Sequence, residues 1–298
     1  MGNIIYQQCP CCGSNHIAEA LTVKDYTVSG QTFSVWHCGD CTFRFTQDIP
    51  DIQHIGAYYQ SANYVSHSDT KEGLVNRVYH MVRNYTLQGK RKLVQQTTGL
   101  QQGALLDVGA GTGYFANTMQ QAGWQVTGLE PDHSARMVAQ GKYNLTLQEP
   151  GVLYHLEDNR FDAITMWHVL EHVHDLDGYL RKFHKILKPG GKLIIAVPNY
   201  TSHDAQVYKA YWAAYDVPRH LYHFSPQSIN VLAAAKGFSV KAYKPMWFDS
   251  FYVAMLSEQY KNGKGNLLRA LWNGLVSNLK TLGNAKNCSS VIYVLAKQ

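Results

Sequence analysis

Three groups of residues in this 298-residue chain have the types and spacing for chemistry. The first is Cys9-Pro10-Cys11-Cys12-Gly13 followed by Cys38-Gly39-Asp40-Cys41, two C-x2-C pairs with 25 residues between them. Two such knuckles offer the four soft thiolates that Zn2+ takes in a tetrahedron, so Cys9, Cys12, Cys38 and Cys41 are candidate ligands. Cys11 and His37 are adjacent spares, and unmetallated or redox-active thiols are the bland alternative. Gly13 lets the chain turn back sharply, and Gly39 loosens the second turn. A closed four-cysteine site is structural rather than catalytic. The second group is Asp107-Val108-Gly109-Ala110-Gly111-Thr112-Gly113, whose alternate glycines admit a ligand where a Cβ would collide. Seventeen residues past Gly113, Glu130 closes an apolar run, and its carboxylate can accept from both hydroxyls of a ribose. The third group is His168-Val169-Leu170-Glu171-His172, echoed downstream by Asp216-Val217-Pro218-Arg219-His220-Leu221-Tyr222-His223.

These groups need elements to hold them. From residue 103 the hydrophobic pattern alternates, with strands expected at 104–108, 124–130, 144–147, 161–167, 192–197 and 238–244 and a last one at 290–295. Helices are expected near 114–121, 132–140, 177–187 and 226–235. Pro189-Gly190-Gly191 is expected to stop one helix before a strand, and Ser225-Pro226 to open another. Such alternation predicts a doubly wound, mostly parallel α/β sheet. Between the cysteine pairs, residues 21–23 and 32–36 read as short strands, which makes residues 1–50 a small zinc-ribbon-like module. Residues 51–100 read as a helical lid or linker, helical over 73–97, and residues 101–298 as the α/β domain. A helical insertion is expected at about 247–288. Its Leu268, Leu271, Trp272, Leu275, Leu279 and Leu282 form an apolar stripe flanked by Lys261, Lys264, Arg269 and Lys280. Such a stripe most often packs into a core; a weak association with a membrane surface is the alternative reading.

Composition narrows the classes. With 45% hydrophobic and 16% charged residues, wholesale disorder is excluded. No run of about 18 apolar residues is present, so no transmembrane helix is expected. The start MGNIIYQQCPCC carries no signal-peptide apolar region, and a cytoplasmic location is expected, where thiols favour metal over disulfides. The 27 Lys and Arg against 21 Asp and Glu give a net charge of +6, which permits an anionic partner without demanding nucleic acid. Segment 9–41 has Lys24 as its one basic residue of those two types, which argues against the ribbon as an RNA-binding module. The 20 tyrosines suggest clefts lined with amphipathic rings.

Read from Asp107, the glycine string is D-x-G-x-G-x-G and resembles motif I of class I S-adenosylmethionine-dependent methyltransferases. Read from Gly111 it is also G-x-G-x-x-A, a dinucleotide fingerprint, but Asp107 would set a negative charge beside a pyrophosphate. The resemblance extends over about residues 70–245, through Gly128-Leu129-Glu130-Pro131-Asp132, the strand at Phe161–Trp167, the His168–Val173 string and Leu187-Lys188-Pro189-Gly190-Gly191. It implies that Asp107, Gly109, Gly111, Gly113, Glu130, Pro131 and His168 bind S-adenosylmethionine. It also implies that Tyr58, Tyr59, Tyr64 and His67 form a lid, with Tyr64 on the cofactor. The acid that contacts adenine in the family has no clear equivalent here, where Gln148, Glu149 or Glu157 could serve. The resemblance implies that His172 falls in the segment that lines the methyl-transfer pocket in the family, and His220 and His223 on its loop over the acceptor, so these three are the candidates for removing an acceptor proton. Arg219 could hold an acidic group of the substrate or pair with Asp216. His168-x-x-Glu171-His172 also spells a zinc-protease string, which requires both histidines on one helical face. The expected activity is methyl transfer to a small-molecule or glycan-type acceptor, as in quinone-methylating and sugar C-methyltransferases. An RNA methyltransferase and a non-enzymatic cofactor-binding or partner-binding protein are the alternatives.

Overall fold

The structure is a computed structural model that describes residues 2–59 and 74–298, with side chains described for 2–59 and 82–298. The strands are β1 (Asn3–Ile4), β2 (Ile17–Lys24), β3 (Thr32–Cys38), β4 (Arg44–Thr46), β5 (Ile49–Pro50) and β6 (Ala104–Val108). They continue with β7 (Gln125–Leu129), β8 (Phe161–Trp167), β9 (Leu187–Pro198), β10 (Tyr222–His223), β11 (Phe238–Pro245) and β12 (Ser290–Lys297). The helices are α1 (Leu74–Thr98), α2 (Tyr114–Gln121), α3 (His133–Tyr143), α4 (Leu176–Ile186), α5 (His203–Tyr208), α6 (Pro226–Ala235), α7 (Asp249–Asn262) and α8 (Leu267–Thr281).

A six-stranded sheet has the order β11-β12-β9-β8-β6-β7. Strand β6 lies between β7 and β8 and is parallel to both, Asp107 facing Gly128 on one side and Thr165 on the other. This is the expected Rossmann-like, mostly parallel arrangement. Leu105, Leu106, Val108, Ala163, Ile164 and Met166 are buried, so these strands read as continuous apolar runs, as parallel strands covered on both faces do.

Chain contacts divide the molecule into two compact units, Met1–Tyr64 with His168–Leu176 and Ile195–Tyr293, and Val65–Trp167 with Asp177–Ile194 and Val294–Gln298. In the first unit, β2, β3 and β4 form an antiparallel sheet that β10 completes, Tyr222 facing Phe45 and His223 facing Arg44. The cysteine-rich module is therefore built together with the segment that carries His220 and His223, which are far from it in sequence.

Local chemistry explains the element ends. Ser225 accepts from Ser228 N and the reciprocal bond completes a capping box, with Pro226 at the first position of α6. Asp132 caps α3 through Ala135 N at 2.7 Å. Two expectations fail here. Residues 144–147 do not form a strand, because Asn144 ends α3 in the left-handed region at φ 54 and only Gln148 bridges to Leu129. Pro189-Gly190-Gly191 does not lie between a helix and a strand: α4 ends at Ile186 and β9 already begins at Leu187.

Candidate functional site

The cysteine cluster is assembled by two tight turns in which Gly13 N donates to Cys9 O and Thr42 N to Cys38 O, at 2.8 and 3.0 Å. Gly13 takes φ 76 as its turn demands, but in the second turn the left-handed residue is Thr42, at φ 61. Gly39 serves differently, since a Cβ there would meet the His16 ring at 2.5 Å. The Sγ atoms of Cys9, Cys12, Cys38 and Cys41 all lie within 4.8 Å of one another. Cys9 and Cys41 are 3.6 Å apart and Cys12 and Cys38 3.7 Å, far beyond a disulfide of about 2.05 Å. A tetrahedron with Zn–S bonds of about 2.3 Å has edges of about 3.8 Å, so the donor set fits Zn2+. The Cys11 thiol is instead 3.7 Å from the Ser228 carbonyl, and His37 pairs within the sheet with Ala18 and Arg44.

In the other unit, the glycine loop leaves β6 with Gly109, Gly111 and Gly113 at φ 71, 54 and 81, conformations that other residues rarely adopt. Gly109 N and Ala110 N both donate to Leu129 O, stitching the loop to the end of β7. Glu130 follows directly and is 7% exposed; its Oε2 accepts from Gly111 N at 2.7 Å and its Oε1 from Asp132 N at 3.0 Å. Both oxygens are thereby fixed in orientation, and each can accept more than one bond, which suits a pair of ribose hydroxyls. Beneath the loop, Asp107 is 1% exposed and accepts from Thr165 Oγ1 at 2.7 Å. Burial pushes its pKa up to about 7 against the Thr165 bond and the charge of Lys90, and the Glu130 charge adds to the rise. The open positive-φ backbone and the oriented acid fit an adenosyl group. Of the counterparts for the adenine acid, Gln148 bonds through its backbone to Gly128 O and Glu130 N. Glu149 pairs with Arg136 at 2.9 Å and Glu157 is exposed. Tyr64 and His67 lie outside the described residues.

The histidine string begins immediately after β8 and does not form a helix. His168 has φ 58 and Leu170–His172 make a single 3-10 turn, so the two histidines do not share a helical face and the zinc-protease geometry is absent. His168 Nε2 is 2.9 Å from Asp249 Oδ2 at the start of α7, and its Nδ1 is 3.4 Å from Glu171 Oε1. Burial alone would lower the His168 pKa, but the two carboxylates outweigh it and raise it to about 10, so the ring is an imidazolium at neutral pH. Glu171 is 0% exposed, and among the described residues its carboxylate has the His168 ion pair and no well-aligned hydrogen bond. Burial pushes its pKa up, yet His168 and the neighbouring histidines hold it below the ordinary range.

A backbone bond from Leu221 N to Glu171 O, 2.8 Å, draws the downstream loop against this turn. It places the His172 and His220 rings edge to face with centroids 4.6 Å apart. One ring nitrogen of each and a Glu171 oxygen lie within 4.8 Å, a donor set that could also take a divalent cation. His172 Nδ1 is 3.0 Å from both Arg219 O and Tyr59 Oη, and His220 Nδ1 is 2.8 Å from Ala214 O. Carbonyl partners assign the proton to Nδ1 in both rings and leave Nε2 as the acceptor nitrogen. Burial, then the His220 charge, lowers the His172 pKa to about 4. His223 is buried, 3.0 Å from Thr46 Oγ1, with its pKa held well below the ordinary range by burial. Arg219 is 1% exposed and bonds Asp216 at 2.6 Å, Asp25 at 3.0 Å and the Tyr58 carbonyl at 2.9 Å, so it is spent inside the protein rather than on a substrate. Sequence reasoning missed Asp25, Asp249 and the bond from Tyr59 to His172; none carries a local signal.

The sequence model of a methyltransferase domain matches residues 81–243, more than half of the chain. Ubiquinone biosynthesis O-methyltransferase of Serratia proteamaculans is 34% identical over 114 residues, 36% of this chain and 47% of that protein. Demethylmenaquinone methyltransferase of Tropheryma whipplei is 29% identical over 119 residues, 39% of this chain and 50% of that protein. The chain thus spans about half the length of the curated relatives it matches. Among solved structures, it is similar to 1,6-didemethyltoxoflavin-N1-methyltransferase of Burkholderia thailandensis, which holds its namesake substrate and S-adenosylhomocysteine. That likeness has a TM-score of 0.50 at 15% identity over 88% of this chain and 98% of the other. Magnesium protoporphyrin IX methyltransferase of Synechocystis gives a TM-score of 0.51 at 14% identity over 78% and 91%. At such identities the likeness is one of fold. With the family model, the parallel sheet and the glycine loop in agreement, the chain belongs to the methyltransferase-domain family.

Proposed function

We propose that the chain transfers a methyl group from S-adenosylmethionine to a hydroxyl of a small, weakly acidic acceptor. The observation that carries this reading is the pairing of His172 and His220. Each ring has Nδ1 turned to a carbonyl, which leaves Nε2 to accept, beside the buried Glu171 carboxylate that pairs with His168. The relative named ubiquinone biosynthesis O-methyltransferase supports a hydroxyl acceptor of the quinone type over a glycan.

S-adenosylmethionine, when bound, supplies an electrophilic methyl group on a sulfonium. Gly109, Gly111 and Gly113 would let it approach the backbone, and Glu130 would orient the ribose. On the acceptor side, His220 Nε2 would take the hydroxyl proton, while the cofactor, when bound, would give up its methyl group and leave as S-adenosylhomocysteine. The imidazolium that results is offset by Glu171 and by Asp216, whose Oδ2 is 4.0 Å from His220 Nε2. His172, neutral at pH 7, orients the hydroxyl through its acceptor nitrogen. His223, bonded to Thr46, and His168, held by Asp249, position these groups. Cys9, Cys12, Cys38 and Cys41 would hold a structural Zn2+ that fixes the sheet on which β10 lies.

The test is transfer of labelled methyl from S-adenosylmethionine to a panel of catechols, hydroquinones, sugars and short RNAs. Incorporation into phenolic hydroxyls, lost in His220→Asn, is the expected result. Incorporation into RNA or sugar alone, or none with a chain that binds the cofactor, would overturn the acceptor assignment.

A further inference from the structure

The geometry points to a second task for the helical insertion: the α7–α8 hairpin docks on an anionic phospholipid surface. This stands independently of the methyl-transfer reading. Helix α8 carries Leu267, Leu268, Leu271, Trp272, Leu275 and Leu279 along one stripe, the pattern of an amphipathic helix. In a helix covered by its own protein that stripe faces inward. Here the helix is turned the other way. Its buried residues are Ala270, Gly274, Ser277 and Thr281, small or polar, with Gly274 so close to Phe251 that a Cβ would lie 2.6 Å from the ring.

Polar anchors fix that orientation. Ser277 Oγ donates to Asp204 Oδ1 at 2.7 Å, Asn273 Nδ2 to Tyr208 Oη at 2.9 Å and Asn278 Nδ2 to the Trp247 carbonyl at 2.8 Å. Rotating the leucines inward would take a donor from the buried Asp204 carboxylate. The stripe therefore stays outside, with Leu268 82% and Trp272 64% exposed, and Tyr252 and Met255 of α7 are exposed as well. The expectation that it packs into a core is not met.

Charge selects the occupant. After Glu258 the sequence has no acidic residue to its end, whereas Lys261, Lys264, Lys280 and Lys286 are exposed, Arg269 being paired with Glu258 at 3.3 Å. A second copy would set like charges against each other, while anionic headgroups complement them. Trp272 suits the headgroup boundary. At about 1.5 Å per residue the 15 residues of α8 span roughly 22 Å, too short to cross a bilayer, so the helix lies in the plane of the surface.

The experiment is sedimentation of the full chain with vesicles of phosphatidylglycerol and phosphatidylcholine, and of phosphatidylcholine alone, at low and high salt. Binding to the anionic vesicles that falls with salt is expected. The triple variant Leu268→Ser, Trp272→Ser, Leu279→Ser should bind at least about tenfold more weakly with an unchanged circular dichroism spectrum, since these side chains are exposed. Lys264→Gln and Lys280→Gln should each cost about fivefold. Failure of the wild type to sediment with anionic vesicles, or equal binding by the triple variant, would overturn the proposal. So would self-association in sedimentation velocity that the triple variant abolishes while vesicles are ignored, which would assign the face to a second copy.

Discussion

Asp107 supplies a prediction whose size follows from its surroundings. Burial at 1% exposure raises its pKa to about 7, against about 3.9 for a solvated aspartate. In the unfolded chain the carboxyl ionises near pH 4, and in the folded one near 7. Between those values the folded state holds a proton the unfolded state has released, so stability falls as pH rises through the window. The penalty is absent below about pH 4 and complete above about 7, where it reaches on the order of 4 kcal/mol. Asp107→Asn removes the ionisation and keeps the shape. The variant should gain on the wild type by about 1.4 kcal/mol per pH unit up to neutrality and by a constant amount beyond. The bond from Thr165 trims that gain by about 1 kcal/mol. Urea unfolding of both proteins between about pH 5 and 8 measures the gap. The same ionisation should govern the cofactor: a cationic ligand favours the charged carboxylate, so S-adenosylmethionine affinity rises up to about tenfold per unit below pH 7 and levels off above it. Asp107→Asn should flatten that profile. A stability gap that does not change with pH, or a wild-type affinity that is flat, would refute the reasoning.

Other consequences are as direct. His220→Asn should lower kcat by about 100- to 10,000-fold while calorimetry finds the cofactor affinity unchanged, because the ring acts on the acceptor alone. Arg219→Leu should destabilise the chain by about 3–5 kcal/mol in urea titrations, since it leaves Asp25, fully buried, without its cation. Metal analysis should find zinc that Cys38→Ser releases. Loss of that zinc should also lower activity, because β4 of the cysteine module pairs with β10 beside His220. A second equivalent that disappears in His220→Asn would reassign Glu171, His172 and His220 from proton transfer to cation binding.

The legible parts of the molecule were those governed by neighbours in sequence. The turn after β6 needs positive φ at three alternate positions, and glycines announce it. The bounds of α6 follow from Ser225 and Pro226. The four thiols were legible because two short knuckles suffice to gather them. What failed was set by one local cap and otherwise at a distance. The strand expected at 144–147 has the right composition but is reduced to one bridge by the left-handed cap at Asn144. The leucine stripe of α8 was plain, yet its facing was decided by Ser277 and Asp204, 73 residues apart. Arg219 with Asp25 and His168 with Asp249 are likewise ion pairs between distant segments, which no period in the sequence reports.

We propose that the glycine loop and Glu130 hold S-adenosylmethionine. Isothermal titration of the full chain with that ligand tests it most directly. Saturable binding to the wild type is expected, with a loss of at least about tenfold in affinity in Glu130→Ala, from two hydrogen bonds to a charged acceptor. No binding to the wild type, or equal binding by the variant, would contradict it.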